Sequence, residues 1–426
     1  MKQSKKTKFL TTGLAVALAA ATLVGGGTFA YLQSSTGDVV NQFDANKVMV
    51  SLAETTGSEY HIIPGTSQEK DPAVTVDNTV DAYVYVEVND ATDGLVTYSI
   101  ADGWTLLDGY DNVYYREVAA DAADKAFDVL KDNIVSYSAD LENSDMLDGE
   151  GNLKDGMELT FQAYAIQKDG FADAADACPL TPAGSLAEAI ENAEEGDVLT
   201  VTGEVTEPVS IDKSITVNNL NASAPVTVAA DAVTLNNAKI AVTQAAAPAV
   251  TVPNTVTDFT MTDSEISADT GSGGNHTAVN IAAGGHIVFS GNTVTNPSYN
   301  GVEFSQSVQV ASLTISGNNF TNCGNNAISI YNVQADAVIT IDNNTFTNVS
   351  NAIRLSNYSN ATATFNISNN TADTDTMYEK AFVLLQAVRG EDFSNYTLNF
   401  KGNTLGQGGV YAFVYNSTTE PIINYQ

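Results

Sequence analysis

One heptapeptide recurs every 26 residues through the C-terminal half of the chain, and few folds tolerate such a period. Ser290-Gly-Asn-Thr-Val-Thr-Asn296 returns as Ser316-Gly-Asn-Asn-Phe-Thr-Asn322 and Asp342-Asn-Asn-Thr-Phe-Thr-Asn348. It weakens to Ser368-Asn-Asn-Thr-Ala-Asp-Thr374 and Lys401-Gly-Asn-Thr-Leu-Gly-Gln407. Asn292, Asn318, Asn344 and Asn370 are each 26 apart, and Asn403 follows after 33. A period in this range built from short strands means a solenoid. Helical repeats would need long runs of helix formers, whereas these units consist of Thr, Val, Ile, Phe and Asn. Each unit also carries a second strand: Ala278–Ile281, Gly301–Phe304, Ala327–Ile330, Ala352–Leu355 and Ala381–Leu384.

Stacked coils bring equivalent residues about 4.8 Å apart, so recurrent Val, Ile and Phe form columns in a core. The turn asparagines Asn292, Asn318, Asn344 and Asn370 are placed to form a structural ladder, each amide bonding the next. Asparagine also tolerates left-handed backbone at turns. Losing one rung is expected to cost roughly 1 kcal/mol, the usual worth of a hydrogen bond. Ahead of the coil, Pro182 to Asn192 fits a helix with Leu186, Ala189 and Ile190 on one face, suited to cap the open end. The region resembles the right-handed parallel β-helices of the pectin-lyase-like superfamily. That resemblance implies a fold and little chemistry.

Aligning the second strands places Asn280, Glu303, Ser329 and Arg354 in one outward column, with Glu303 and Arg354 two rungs, ~10 Å, apart. A carboxylate and a guanidinium on such a face can grip a sugar or do acid–base work on a uronate. The bland alternative is scattered solvent-facing polar residues. No acidic pair has glycosidase-like spacing on this stack. The clustered aspartates of pectate lyases and the paired-aspartate and His-Gly motifs of polygalacturonases, which the resemblance leads one to seek, are missing. No catalytic residue is therefore assigned, and His276 and His286 read as loop or turn residues.

Residues 31–175 alternate strand-like runs with turn clusters, the pattern of an all-β sandwich. Lys47–Leu52, Ala82–Val88 and Leu159–Ile166 are the strongest strands. Asp121 to Leu130 reads as a short helix, because Ala122, Ala126 and Leu130 recur every four residues. The acidic run Asp145–Asn152 fails the EF-hand template: counted from Asp148, Leu153 and Leu159 stand where glycine and glutamate are needed. No His-Glu-x-x-His occurs, and the sandwich holds only His61, so neither a metal site nor a cofactor is expected. Cys178 and Cys323 leave open one disulfide or two unpaired thiols.

The first residues have the form of an export signal. Lys2, Lys5, Lys6 and Lys8 precede an apolar run from Phe9 to Val24, and Thr28-Phe29-Ala30 offers small residues for cleavage between Ala30 and Tyr31. The run is shorter than the ~20 residues of a membrane span. The C-terminus ends without a hydrophobic tail, so no stable membrane insertion is expected after cleavage. Asp and Glu number 51 against 17 Lys and Arg, and loss of the four leader lysines takes the net charge from −34 to −38. So acidic a surface repels phosphate backbones, which excludes nucleic acid as a partner. A hydrophobic content of 43% is ample for folded cores.

The segments Gly25–Ala30, Val40-Asn-Gln-Phe43, Val48–Glu54, Ile63–Pro72, Tyr98–Trp104 and Val113–Arg116 together resemble camelysin/TasA-type secreted proteins over roughly residues 9–170. The resemblance implies a Gram-positive source, cleavage by a dedicated signal peptidase, a jelly-roll sandwich, and matrix fibres in which one subunit's N-terminal segment completes the next subunit's sheet. The expected organisation is a signal peptide at 1–30, a sandwich at 31–175 and a β-helix at 176–426. The expected function is that of a secreted structural or adhesive protein of the extracellular matrix or cell surface. Its partners would be other copies of itself, through a strand donated by residues 31–38, or a cell-surface polysaccharide. The alternatives are carbohydrate binding on the outward column and polysaccharide degradation.

Overall fold

The structure, a computed structural model, describes residues 46–57, 60–92, 94–147, 154, 157–243, 247–268, 276–305 and 309–426. The expected export signal, its Ala30–Tyr31 junction, the 31–38 strand and residues 148–152 of the acidic run lie outside the described residues.

Residues 48–167 form three small antiparallel sheets. In one, Ala73–Asn78 lies between Val48–Ala53 and Ala126–Asp128; in another, Ala82–Asp90 lies between Leu159–Gln167 and Val113–Val118. Alternation decides which side chains meet. Val74, Val76, Val84, Val86 and Val88 point into one core with Trp104 and Val118. Tyr83 and Tyr85 point the other way, where Ala174, Ala177 and Leu180 cover them. The Tyr85 hydroxyl donates to Ala174 O at 2.7 Å and that of Tyr110 to Leu180 O at 2.6 Å. Residues 174–180 are thus packed on this sheet, and the first strand of the coil begins only at Thr181.

The helix expected at Asp121–Leu130 is not formed. Ala126–Asp128 instead pairs antiparallel with Ala73–Thr75, and the aromatic ring of Phe127 packs on the valine core. A four-residue apolar spacing this short cannot outweigh a vacant sheet edge beside it.

From Thr181 onward, the described residues form three parallel sheets, of eleven, nine and nine strands, that run the length of the coil. We call them faces one, two and three in the order the chain visits them. Most strands are three to six residues long, alternating inward and outward. On face one, Leu235, Met261, Phe289, Ile315, Ile341, Ile367 and Phe400 are in register and buried. On face two the inward column runs Ile240, Ile266, Val294, Phe320, Phe346. The expected cap is present, as a 3₁₀ turn at Ala183–Ser185 and an α-helix at Leu186–Asn192, with Leu186 and Ile190 buried in the coil core.

Backbones approach closely where face two turns into face three. A Cβ added to Gly324 would lie 2.4 Å from Ser298 O, a backbone atom that cannot swing aside. We expect Gly324→Ala to destabilise the coil by about 1–3 kcal/mol, the range for overpacking. Gly184→Ala, whose Cβ meets nothing within 4 Å, serves as the control in the same thermal denaturation series. Equal melting temperatures for the two variants would contradict this packing.

Candidate functional site: the asparagine ladders and the third face

At the corner between faces one and two, the residue before each ladder asparagine takes left-handed backbone: Gly291, Gly317, Asn343, Asn369 and Gly402 have φ between 55° and 69°. That turn aims the following side chain inward. Asn292, Asn318, Asn344 and Asn370 are at most 1% exposed. Each Nδ2 donates both to the next rung's Oδ1 and to a backbone carbonyl: Asn318 to Asn344 (2.9 Å) and Phe289 O (2.9 Å), Asn344 to Asn370 (2.9 Å) and Ile315 O (3.0 Å). Each Oδ1 also receives a backbone N–H from the previous rung, as Asn344 does from Asn318 N at 2.9 Å. The ladder continues across the 33-residue gap, where Asn370 donates to Asn403 at 2.9 Å. So these asparagines are buried and fully bonded, while the left-handed positions belong to their neighbours.

Asn296, Asn322 and Asn348, which close the heptapeptide, do adopt left-handed backbone and form an exposed ladder at 2.8–2.9 Å. A third ladder was not read from the sequence. Asn326 donates to Asn300 (2.7 Å) and Asn351 to Asn326 (3.1 Å) at the entry to face three. Spacings of 26 and 25 from Asn300 through Asn326 to Asn351 carried its signal.

On face three, Asn280, Glu303, Ser329 and Arg354 are in register. They are not uniformly solvent-facing, however. Ser329 is fully buried and Arg354 is 5% exposed. Arg354 lies 4.3 Å from the Tyr331 ring centroid, and its Nε donates to Gln386 Oε1 at 2.6 Å. Glu303 accepts from Asn300 Nδ2 at 2.5 Å. Burial raises the Tyr331 hydroxyl above the usual phenol range, opposed by the Arg354 charge. A guanidinium stacked on an aromatic ring and bonded to an amide acts as a brace between rungs. The register also corrects the last second strand: Arg354 pairs with Leu384, and Val383 points into the core. Aligning Ala381 with Ala352 misplaced it by one residue, which turns every side chain over.

Both cysteines are free, and burial pushes the Cys323 thiol up to about 12, which suits packing and not nucleophilic attack. Among the described residues no group of three or more His, Cys, Asp or Glu is placed to hold a metal. A cleft of about 1390 Å³ between the antiparallel sheets and the first coils is lined by eight carboxylates, Glu87 and Glu204 among them, with Lys239. Glu87, 4% exposed, accepts from Thr202 Oγ1 at 2.6 Å and ties the two parts together.

Residues 249–425 match the family model of the right-handed β-helix region. No curated protein and no solved structure matches the chain.

Proposed function

We propose that this chain, with its right-handed parallel β-helix, is a secreted structural or adhesive protein of the extracellular matrix or cell surface. The carrying observation is the ladder from Asn292 to Asn403, whose buried amides are bonded to each other and to the backbone. The repeat's most regular polar residues therefore hold the coil together, and none is presented to a substrate. Arg354, the cation of the only suggested acid–base pair, is buried and braced. The camelysin/TasA-type resemblance, with its jelly-roll sandwich, Gram-positive export and strand donation by residues 31–38, belongs to the same reading. The small antiparallel sheets of residues 48–167 and the acidic composition are compatible with it.

The test is recovery of the protein from culture medium, followed by N-terminal sequencing and sedimentation of the mature form. We expect Tyr31 as first residue and larger particles in added salt or at mildly acidic pH, where the repulsion of a −38 chain is screened. Removal of residues 31–38 should abolish the larger particles. A cell-retained, uncleaved chain would overturn the export reading, and a mature chain that stays monomeric under all these conditions the assembly reading. A second reading, carbohydrate binding, is favoured by the geometry of one groove on face three.

A further inference from the structure

The 26-residue period of the heptapeptide rungs breaks in the coil that follows Thr371. Thr345 and Thr371 on face two are still 26 apart, but Ile353 and Val383 on face three are 30 apart. Four extra residues therefore enter between those two strands, and they form the turn ending in the 3₁₀ segment Tyr378–Lys380. In repeat proteins, such insertions gather on one face, often the binding face. Here the turn builds one wall of a groove of about 480 Å³, whose lining includes Asn325, Asn351, Tyr378, Leu384, Gln386 and Tyr415.

Three features set what the groove accepts. Among the described residues its lining carries no charged side chain, in a protein with 51 carboxylates. Tyr378 and Tyr415 are 45% and 36% exposed and pack edge to face at 5.9 Å, offering apolar ring surface with polar tips. The third is an orphan acceptor. Asn351 is the last rung of the third ladder; its Nδ2 donates to Asn326, which fixes the amide's orientation. The next rung should donate to Asn351 Oδ1, but the strand Ala381–Gln386 begins with alanine in that stretch. Asn351 is 6% exposed, and its Oδ1 receives no hydrogen bond from the protein. A buried acceptor left unpaired costs about 1–3 kcal/mol; this one is covered in the free protein, so a ligand hydroxyl in the groove pairs with it only when the neighbouring side chains shift aside.

We propose that this groove binds a neutral glycan. A pyranose presents an apolar face to tyrosine rings and hydroxyls to amides, and the uncharged lining offers no counter-ion to a uronate or to an amino sugar. The groove lies beside the column of Asn280, Glu303, Ser329 and Arg354, and Gln386 joins the two by accepting from Arg354. The proposal deepens the carbohydrate-binding reading and is independent of export and assembly.

The experiment is binding of the purified chain to soluble neutral oligosaccharides (oligomers of glucose, galactose, mannose and N-acetylglucosamine), with oligogalacturonate as the charged comparison. At least one neutral oligomer should bind, and oligogalacturonate should bind at least tenfold more weakly. Tyr378→Ala and Tyr415→Ala should each weaken binding about tenfold, with melting temperatures close to that of the parent. Gln386→Ala should weaken it by a smaller factor. Absence of binding to every neutral oligomer would overturn the proposal. So would tighter binding of the uronate, or neutral binding that survives both tyrosine substitutions. Any of these results leaves the sedimentation test of the structural reading untouched.

Discussion

Phe346→Ala is expected to lower the unfolding free energy by about 3–5 kcal/mol, the range for truncating a buried aromatic. Phe346 is 1% exposed, its ring lies 5.5 Å from that of Phe320 at 5°, and Phe382 meets it edge-on at 5.8 Å. The strand around it is hydrogen-bonded on both sides, to Asn319–Thr321 and to Thr371–Ala372. The rungs cannot close on the void without breaking those bonds, so the cavity should persist. Because each coil contacts mainly its neighbours, the loss should appear as a shifted or split transition in chemical denaturation. Val288→Ala, at a partly exposed outward position of face one, should move the curve little. An unchanged curve for Phe346→Ala would mean that the column has another register.

Asn344→Ala is expected to cost about 3 kcal/mol or more, well above the ~1 kcal/mol of a typical hydrogen bond. Truncation leaves Asn318 N–H without its acceptor, Asn318 Nδ2 with Phe289 O alone, and Ile315 O and Asn370 Oδ1 each with one donor fewer. Each unsatisfied buried group costs about 1–3 kcal/mol. The comparison is Asn348→Gly on the exposed ladder, which keeps the φ of 49° and loses one bond to Asn322. Its cost should be about 1 kcal/mol. Equal losses for the two variants, measured by equilibrium denaturation, would show that burial does not amplify the inner ladder.

The coil was legible because its physics is periodic. A stack must repeat its inward residues at one interval, so Asn292 to Asn370 and Phe320 to Phe346 announce themselves in the sequence. What escaped was whatever broke or lacked the period. The third ladder has only three rungs and shifts from 26 to 25, and the four-residue insertion before Ala381 displaced the last strand by one position. Ala126–Asp128 became a strand because a neighbouring edge was available, a tertiary fact that local spacing does not encode. The burial of Arg354 was equally hidden. Its cover comes from Tyr331 and Gln386, which lie on other coils 23 and 32 residues away in sequence. Sequence alignment put Glu303 and Arg354 in one column, and only the packing shows that Arg354 is already engaged.

The most direct test of a non-catalytic coil is product release from the purified protein incubated with a panel of neutral and uronate polysaccharides. Reducing ends and unsaturated products would be followed over time. We expect no release above the protein-free control, because the amides of the ladder and the guanidinium of Arg354 are engaged in holding rungs together. Steady release that disappears in Glu303→Gln or Arg354→Lys, with both variants folded, would contradict that account and make face three an active site.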